Sequence, residues 1–150
     1  MANGGGNVSA YAINTTSGVL TQVAGSPFTA GTNPKSVTIN PAGTFAYVAN
    51  GGGNVSAYAI NPTSGVLAPV AGSPFPVGTN PKSVTINPAG TFAYVANSGS
   101  DNVSAFAINA TSGALTAVTS SPFTAGTAPQ SVSVDPSGKF AYVVKTELKE

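Results

Sequence analysis

Cysteine, histidine, arginine and tryptophan are all missing from this 150-residue chain, and charged residues make up only 6% of it. Each gap excludes something. Without Cys there are no disulfides, no thiolate metal ligands and no Cys nucleophile. Secreted and cytosolic proteins alike can lack Cys, so the compartment stays open. Without His the commonest general base is gone. Five Lys against four acids leave a net charge of +1. That is too little for the basic stripe of a nucleic-acid binder, or for the cationic cluster that holds a protein on an anionic membrane. No apolar run approaches the roughly 20 residues of a membrane-spanning helix. The opening MANGGGNVSA has neither the charged start nor the apolar stretch of a signal peptide.

What is present is enough for a fold. Apolar residues make up 41%, and Val, Ile, Thr, Phe and Tyr recur throughout, unlike the composition of a disordered chain. The length is that of one ordinary domain with a bland surface of Ser, Thr, Asn and Gly.

The chain repeats itself. NPKSVTINPAGTFAYVAN runs from Asn33 to Asn50 and returns unchanged from Asn80 to Asn97, and a looser copy, APQSVSVDPSGKFAYVVK, runs from Ala128 to Lys145. GGGNVSAYAIN begins at Gly4 and at Gly51, a spacing of 47, and NVSAFAIN begins at Asn102, 48 after Asn54. SPF falls at Ser26, Ser73 and Ser121. The first two copies differ only at Thr15/Pro62, Thr21/Ala68, Gln22/Pro69, Thr29/Pro76 and Ala30/Val77, which implies recent duplication or deliberate construction. The repeats are 4–50, 51–97 and 98–145, followed by a solvated tail at 146–150.

A period near 47 residues points to blades or solenoid turns. Within each copy KSVTIN, TFAYVAN and NVSAYAIN read as strands, separated by NPAG and Gly-rich turns. The fourth, VLAPVAGSPF, carries Pro69 and suits a sheet edge. FAYVA is apolar on both faces, with Phe45, Tyr47 and Ala49 on one and Ala46 and Val48 on the other. That fits a blade sandwiched between blades, and no segment shows a capped helical period. The fold class is therefore all-β, a β-propeller with three four-stranded blades per chain.

The pattern SPF…G…P.SV…P.G.FAYVAN…NVSAYAIN..SG.L, with Pro41, Gly43, Tyr47 and Val48 as its core, resembles the lactonase-type, YVTN-repeat β-propeller family over essentially the whole chain. That resemblance implies a seven-bladed ring more than twice this long. Ala2 through Val143 holds three whole periods, but the cut falls inside a blade. The chain opens on strands three and four of one blade and closes on strands one and two of another. Three blades make no ring, so two copies are expected to close head-to-tail as a six-bladed homodimer, their half-blades pairing between chains. The alternative is a fragment of a longer propeller.

The family includes lactone hydrolases, but little here could hydrolyse a lactone. The acids are Asp101, Asp135, Glu147 and Glu150. The two Glu lie in the tail, and Asp135 replaces Asn40 and Asn87 as a turn cap. Asp101 sits in the loop SGSDN, which offers too few carboxylates for calcium. Ser and Thr hydroxyls without a base are not activated nucleophiles. No family catalytic residue maps onto this chain, so no enzyme activity, cofactor or metal is expected. The other reading is a truncated 6-phosphogluconolactonase-type piece lacking its site.

Lys35, Lys82 and Gln130 occupy equivalent positions before the innermost strand, at one mouth of the channel. There they could attract a small anionic ligand, or simply keep the mouth hydrated. The equivalent aromatics (Tyr11/Tyr58/Phe106, Tyr47/Tyr94/Tyr142, Phe28/Phe75/Phe123) read as inter-blade core. The NVS sequons at Asn7, Asn54 and Asn102 recur because the strand recurs.

Overall fold

The Asn-Pro and Gly turns cut the chain into short strands, and the described residues contain no helix. The computed structural model describes residues 2–3 and 5–146. A first group of strands, β1 (Ala2–Asn3), β2 (Asn7–Val8), β3 (Tyr11–Ile13), β4 (Leu20–Gln22) and β5 (Phe28–Thr29), is half a blade. The first complete blade follows: β6 (Pro34–Ile39), β7 (Phe45–Asn50), β8 (Asn54–Ile60), β9 (Leu67–Pro69) and β10 (Phe75–Pro76). The second is β11 (Pro81–Ile86), β12 (Phe92–Asn97), β13 (Asn102–Ile108), β14 (Leu115–Ala117) and β15 (Phe123–Thr124). Two inner strands, β16 (Pro129–Val134) and β17 (Ala141–Lys145), end the chain.

Each complete blade is an antiparallel meander, β6-β7-β8 or β11-β12-β13. Its outer edge differs from the single strand expected from VLAPVAGSPF. Two short strands share it: β9 pairs with Tyr58–Ile60 and β10 with Asn54–Val55. The turn between them leaves the amide of Ala57 without a strand partner, and Ser73 Oγ accepts its hydrogen bond at 2.9 Å. Ser26 and Ser121 do the same for Ala10 and Ala105. The serine of SPF thus satisfies a backbone donor that the broken edge would otherwise orphan.

The inner strands β6, β11 and β16 stand side by side. Ser36 Oγ accepts from the Val84 amide at 3.3 Å, and Ser83 Oγ accepts from the Val132 amide at 3.0 Å, tying each inner strand to the next. The core lies between blades rather than within one. Phe45, Tyr47, Ala49, Val55, Ala57 and Val70 of the first blade pack against Val84, Ala93, Val95, Phe106, Ile108 and Leu115 of the second. Tyr47 is fully buried, and its hydroxyl donates to the Gly113 carbonyl at 2.9 Å. Desolvation by burial pushes its pKa up to about 12. A Cβ on Gly113 would meet the Phe45 ring at 2.4–2.9 Å, so only glycine lets the ring lie on that turn.

Asn50 and Asn97 end the second strands and are fully buried. Asn50 Nδ2 donates to Asn54 Oδ1 and Ser56 Oγ at 2.8 and 2.9 Å, and Asn97 Nδ2 donates to Asn102 Oδ1 and Ser104 Oγ at the same distances. The Oδ1 atom of each is buried with no hydrogen-bond partner.

The expected inter-blade aromatics split into two sets. Tyr47, Tyr58 and Phe106 are buried, whereas Tyr11 is 38% exposed, Phe123 45% and Tyr142 64%. The reason is position: the first set has a blade on either side, and the second stands at an open end. The sheets do not close into a ring among the described residues.

Each inner strand is entered through a left-handed residue, with φ of 56° at Asn33, 50° at Asn80 and 47° at Ala128. Asn tolerates this region better than Ala, whose Cβ crowds the following carbonyl. Ala128→Asn is expected to raise stability by about 0.5–1 kcal/mol, read as a higher urea midpoint at unchanged slope.

Candidate functional site

Lys35 and Lys82 are the extra residues of β-bulges. Pro34 pairs with Asn50 and Ser36 with Ala49, which leaves Lys35 without a ladder partner, and the second blade repeats this at Lys82. Gln130 is the corresponding residue between Pro129 and Ser131. A bulge turns its side chain out of the ladder, and the adjacent inner strands bring the three bulges to one end of the blades. They are not chemically equal. Lys35 is exposed and Lys82 half-buried, while Gln130 Nε2 donates to the Ala128 carbonyl at 2.8 Å and so spends a donor on its own loop. The structure therefore offers two ammonium groups and one partly committed amide on this arc.

The described carboxylates are far apart in the fold and both hold backbone. Asp135 accepts from the amides of Ser137, Lys139 and Phe140 at 3.3, 2.9 and 3.0 Å, and from the Ser137 hydroxyl at 2.5 Å. The Ser137 hydroxyl bond, followed by these amides, holds its carboxyl below the usual carboxylate range. Asn40 and Asn87 serve the same turn through the amides of Thr44, Phe45, Thr91 and Phe92. Asp101 is exposed, has φ of 55° and accepts from the Ala128 amide at 2.7 Å, stapling its loop to the entrance of β16. Glu147 and Glu150 lie outside the described residues.

The second candidate surface is the pair of open ends. At one end Ile13, Val19, Leu20, Val37 and Ile39 are exposed, and at the other Phe92, Phe123, Phe140, Tyr142 and Val144. Between the leading half-blade and the first complete blade lies an apolar groove of about 370 Å³, lined by residues that include Tyr11, Ile13, Val37, Ile39 and Gly65. β17 pairs with β16 on one side only. The repeat made these residues legible as core, but only the recurrence of VAN pointed to the Asn50 and Asn97 clusters.

A family described as Lactonase, 7-bladed beta-propeller matches residues 3–80 and again 78–150. The chain belongs to that family. No curated protein sequence matches it. Among solved structures it is similar to a candidate 6-phosphogluconolactonase from Bacteroides uniformis ATCC 8492, with TM-score 0.78, 19% identity, and coverage of 94% of this chain and 44% of that one. A protein from Lactobacillus plantarum matches with TM-score 0.77 and 21% identity over 93% of this chain and 42% of its own. The periplasmic gluconolactonase of Pseudomonas aeruginosa matches with TM-score 0.65 and 27% identity over 81% and 35%. The chain thus spans less than half the length of each of these propellers.

The lactonase-family turn at Asp135 has a pH signature. A depressed folded pKa contributes stability that is present above the ordinary carboxylate range and is lost as pH falls through the folded value. Urea midpoints measured from neutral pH down to about pH 2 are expected to fall more steeply for the native chain than for Asp135→Asn.

Proposed function

We propose that this chain is a self-completing half-propeller whose main activity is assembly with a second copy into a six-bladed ring, without catalysis. One observation carries the reading: Ile13, Leu20, Val37, Phe92, Phe140 and Tyr142, exposed at the open ends, are repeat copies of Ile108, Leu115, Val84, Phe45 and Tyr47, which are buried in the interior. Tyr142 stands where Tyr47 stands, and its hydroxyl would reach the partner's Gly65 as Tyr47 reaches Gly113. Phe140 would lie on that same glycine, which lines the apolar groove, as Phe45 lies on Gly113. Phe92 and Tyr94 would meet the partner's Gly18 in the same way. Ser131 Oγ would accept from the partner's Val37 amide, continuing the link from Ser36 to Val84 and from Ser83 to Val132. Two copies supply six blades, within the usual range of about four to eight.

The absence of catalysis rests on the same residues. Asp101 and Asp135 are committed to backbone amides, and the chain has no His. With no His in the chain and no carboxylate free among the described residues, lactone opening lacks a general base there. Lys35 and Lys82 leave the channel mouth mildly cationic, which favours a small anion over any other ligand class.

A second reading has its own support. The family is seven-bladed and the similar structures are more than twice as long, which supports completion in cis, as a piece of a longer lactonase-type propeller. Light scattering after size exclusion separates the two. Assembly predicts twice the single-chain mass of 14.6 kDa, and Tyr142→Ala should weaken the association on the order of tenfold. A monodisperse single-chain mass at every concentration overturns the assembly reading and favours the fragment.

Ligand and activity are checked separately. Gluconolactone and 6-phosphogluconolactone are expected to hydrolyse no faster than in buffer. Calorimetric titration with inorganic phosphate at low salt is expected to show weak saturable binding that Lys35→Ala/Lys82→Ala abolishes. No heat would leave the mouth as a hydrated rim.

A further inference from the structure

Closure between copies raises a conflict of register. In the complete blades the second strand pairs with the third so that Phe92 faces Ala107, Tyr94 faces Ala105, Ala96 faces Val103 and Asn97 faces Asn102. The first blade has the same register, ending with Ala49 on Val55 and Asn50 on Asn54. Carried to the joint blade, β17 would place Phe140 on the partner's Ala12, Tyr142 on the partner's Ala10 and Val143 on the partner's Ser9. Val144 and Lys145 would then fall on the partner's Val8 and Asn7. Those two places are taken, because Ala2 already pairs with Val8 and Asn3 with Asn7 within their own chain.

We propose that the joint blade contains a split strand: Phe140–Val143 of one copy continued by Ala2–Asn3 of the other, with Val144 and Lys145 leaving the sheet. This rests on the assembly reading above. The sequence favours it, since FAYV at 140–143 followed by AN at 2–3 spells FAYVAN, the sequence of both β7 and β12. AN then runs on into GGGNVSAYAIN as it does after Ala49. Ala2 and Asn3 would take over the ladder places on Ser131 and Pro129 that Val144 and Lys145 hold in the single chain, as Ala49 and Asn50 hold Ser36 and Pro34.

The chemistry of the last position agrees. Asn50 and Asn97 are fully buried, with Nδ2 donating to two side chains. They lie so close beneath Gly31 and Gly78 that a Cβ there would approach the amides within 2.6–2.9 Å. A neutral amide fits that space. The ammonium of Lys145 does not, because burying an unpaired charge is far more costly than burying a bonded amide. Asn3 is the residue that register puts there, and Lys145 is exposed in the single chain.

Dimer dissociation constants from sedimentation of four proteins test this. Against the full chain stand a chain ending at Val143, the point variant Lys145→Glu, which keeps the chain length, and a chain lacking Ala2 and Asn3. The split strand predicts that ending at Val143 and Lys145→Glu each change the constant by less than about twofold, while loss of Ala2 and Asn3 weakens the dimer on the order of tenfold. If Lys145→Glu or ending at Val143 weakens the dimer tenfold, β17 enters whole and the proposal is overturned. It is also overturned if loss of Ala2 and Asn3 has no effect. A full chain that never dimerises removes the assembly reading itself, a result distinct from either.

Discussion

The fold depends on one contact, a ring of the second strand laid on the glycine of the next blade's outer turn. Phe45 and Tyr47 cover Gly113, and the Tyr47 hydroxyl donates to the buried carbonyl of that turn. The contact fixes the distance between blades, because a side chain on the glycine would displace the ring. Burying an aromatic of this size contributes roughly 1.5–3 kcal/mol, so each blade is stabilised chiefly by its neighbour. A blade at an end therefore keeps its strands but lacks its core.

A chain with so few charges must satisfy its buried backbone with neutral groups. Here the serine of SPF fills the gap in the outer edge, and the serine after each bulge links inner strands. Asn40 and Asn87 tie the first turn, and Asp135 replaces them without changing the geometry. Neutral donors and acceptors carry no Born cost on burial, provided each finds a partner. Among the described residues the Oδ1 atoms of Asn50 and Asn97 are the exceptions, although the Nδ2 of each donates to two side chains.

Much of this was legible in the sequence. The three inner strands fall where alternation and NPAG turns put them, and FAYVAN is buried along its whole length in the first blade, as its two apolar faces require. The divided outer edge was not legible, because VLAPVAGSPF reads as one weak strand and the serine that bridges the break acts through a contact 16 residues away in sequence. The staple made by Asp101 was not legible for a similar reason: its partner, the Ala128 amide, lies 27 residues on. Local pattern reports turns and strand faces, whereas contacts between loops depend on how blades stack. The arc of Lys35, Lys82 and Gln130 was legible as a repeated position, but not the turning of the Gln130 amide onto its own loop.

Near-identity among repeats has a consequence for recognition. An interface between unrelated surfaces needs complementarity built for it. Here every edge is a copy of an edge already paired inside the chain, so any cut through a blade yields two ends that complement each other. Specificity then cannot come from sequence, since all blades present the same ring and the same glycine. In the proposed assembly it would come from closure, because an open array leaves two apolar ends in water while a closed one leaves none. β17 keeps the ladder places of the repeat on Ser131 and Pro129 but carries Val144 and Lys145 where the other copies have Ala-Asn, and both are exposed in the single chain.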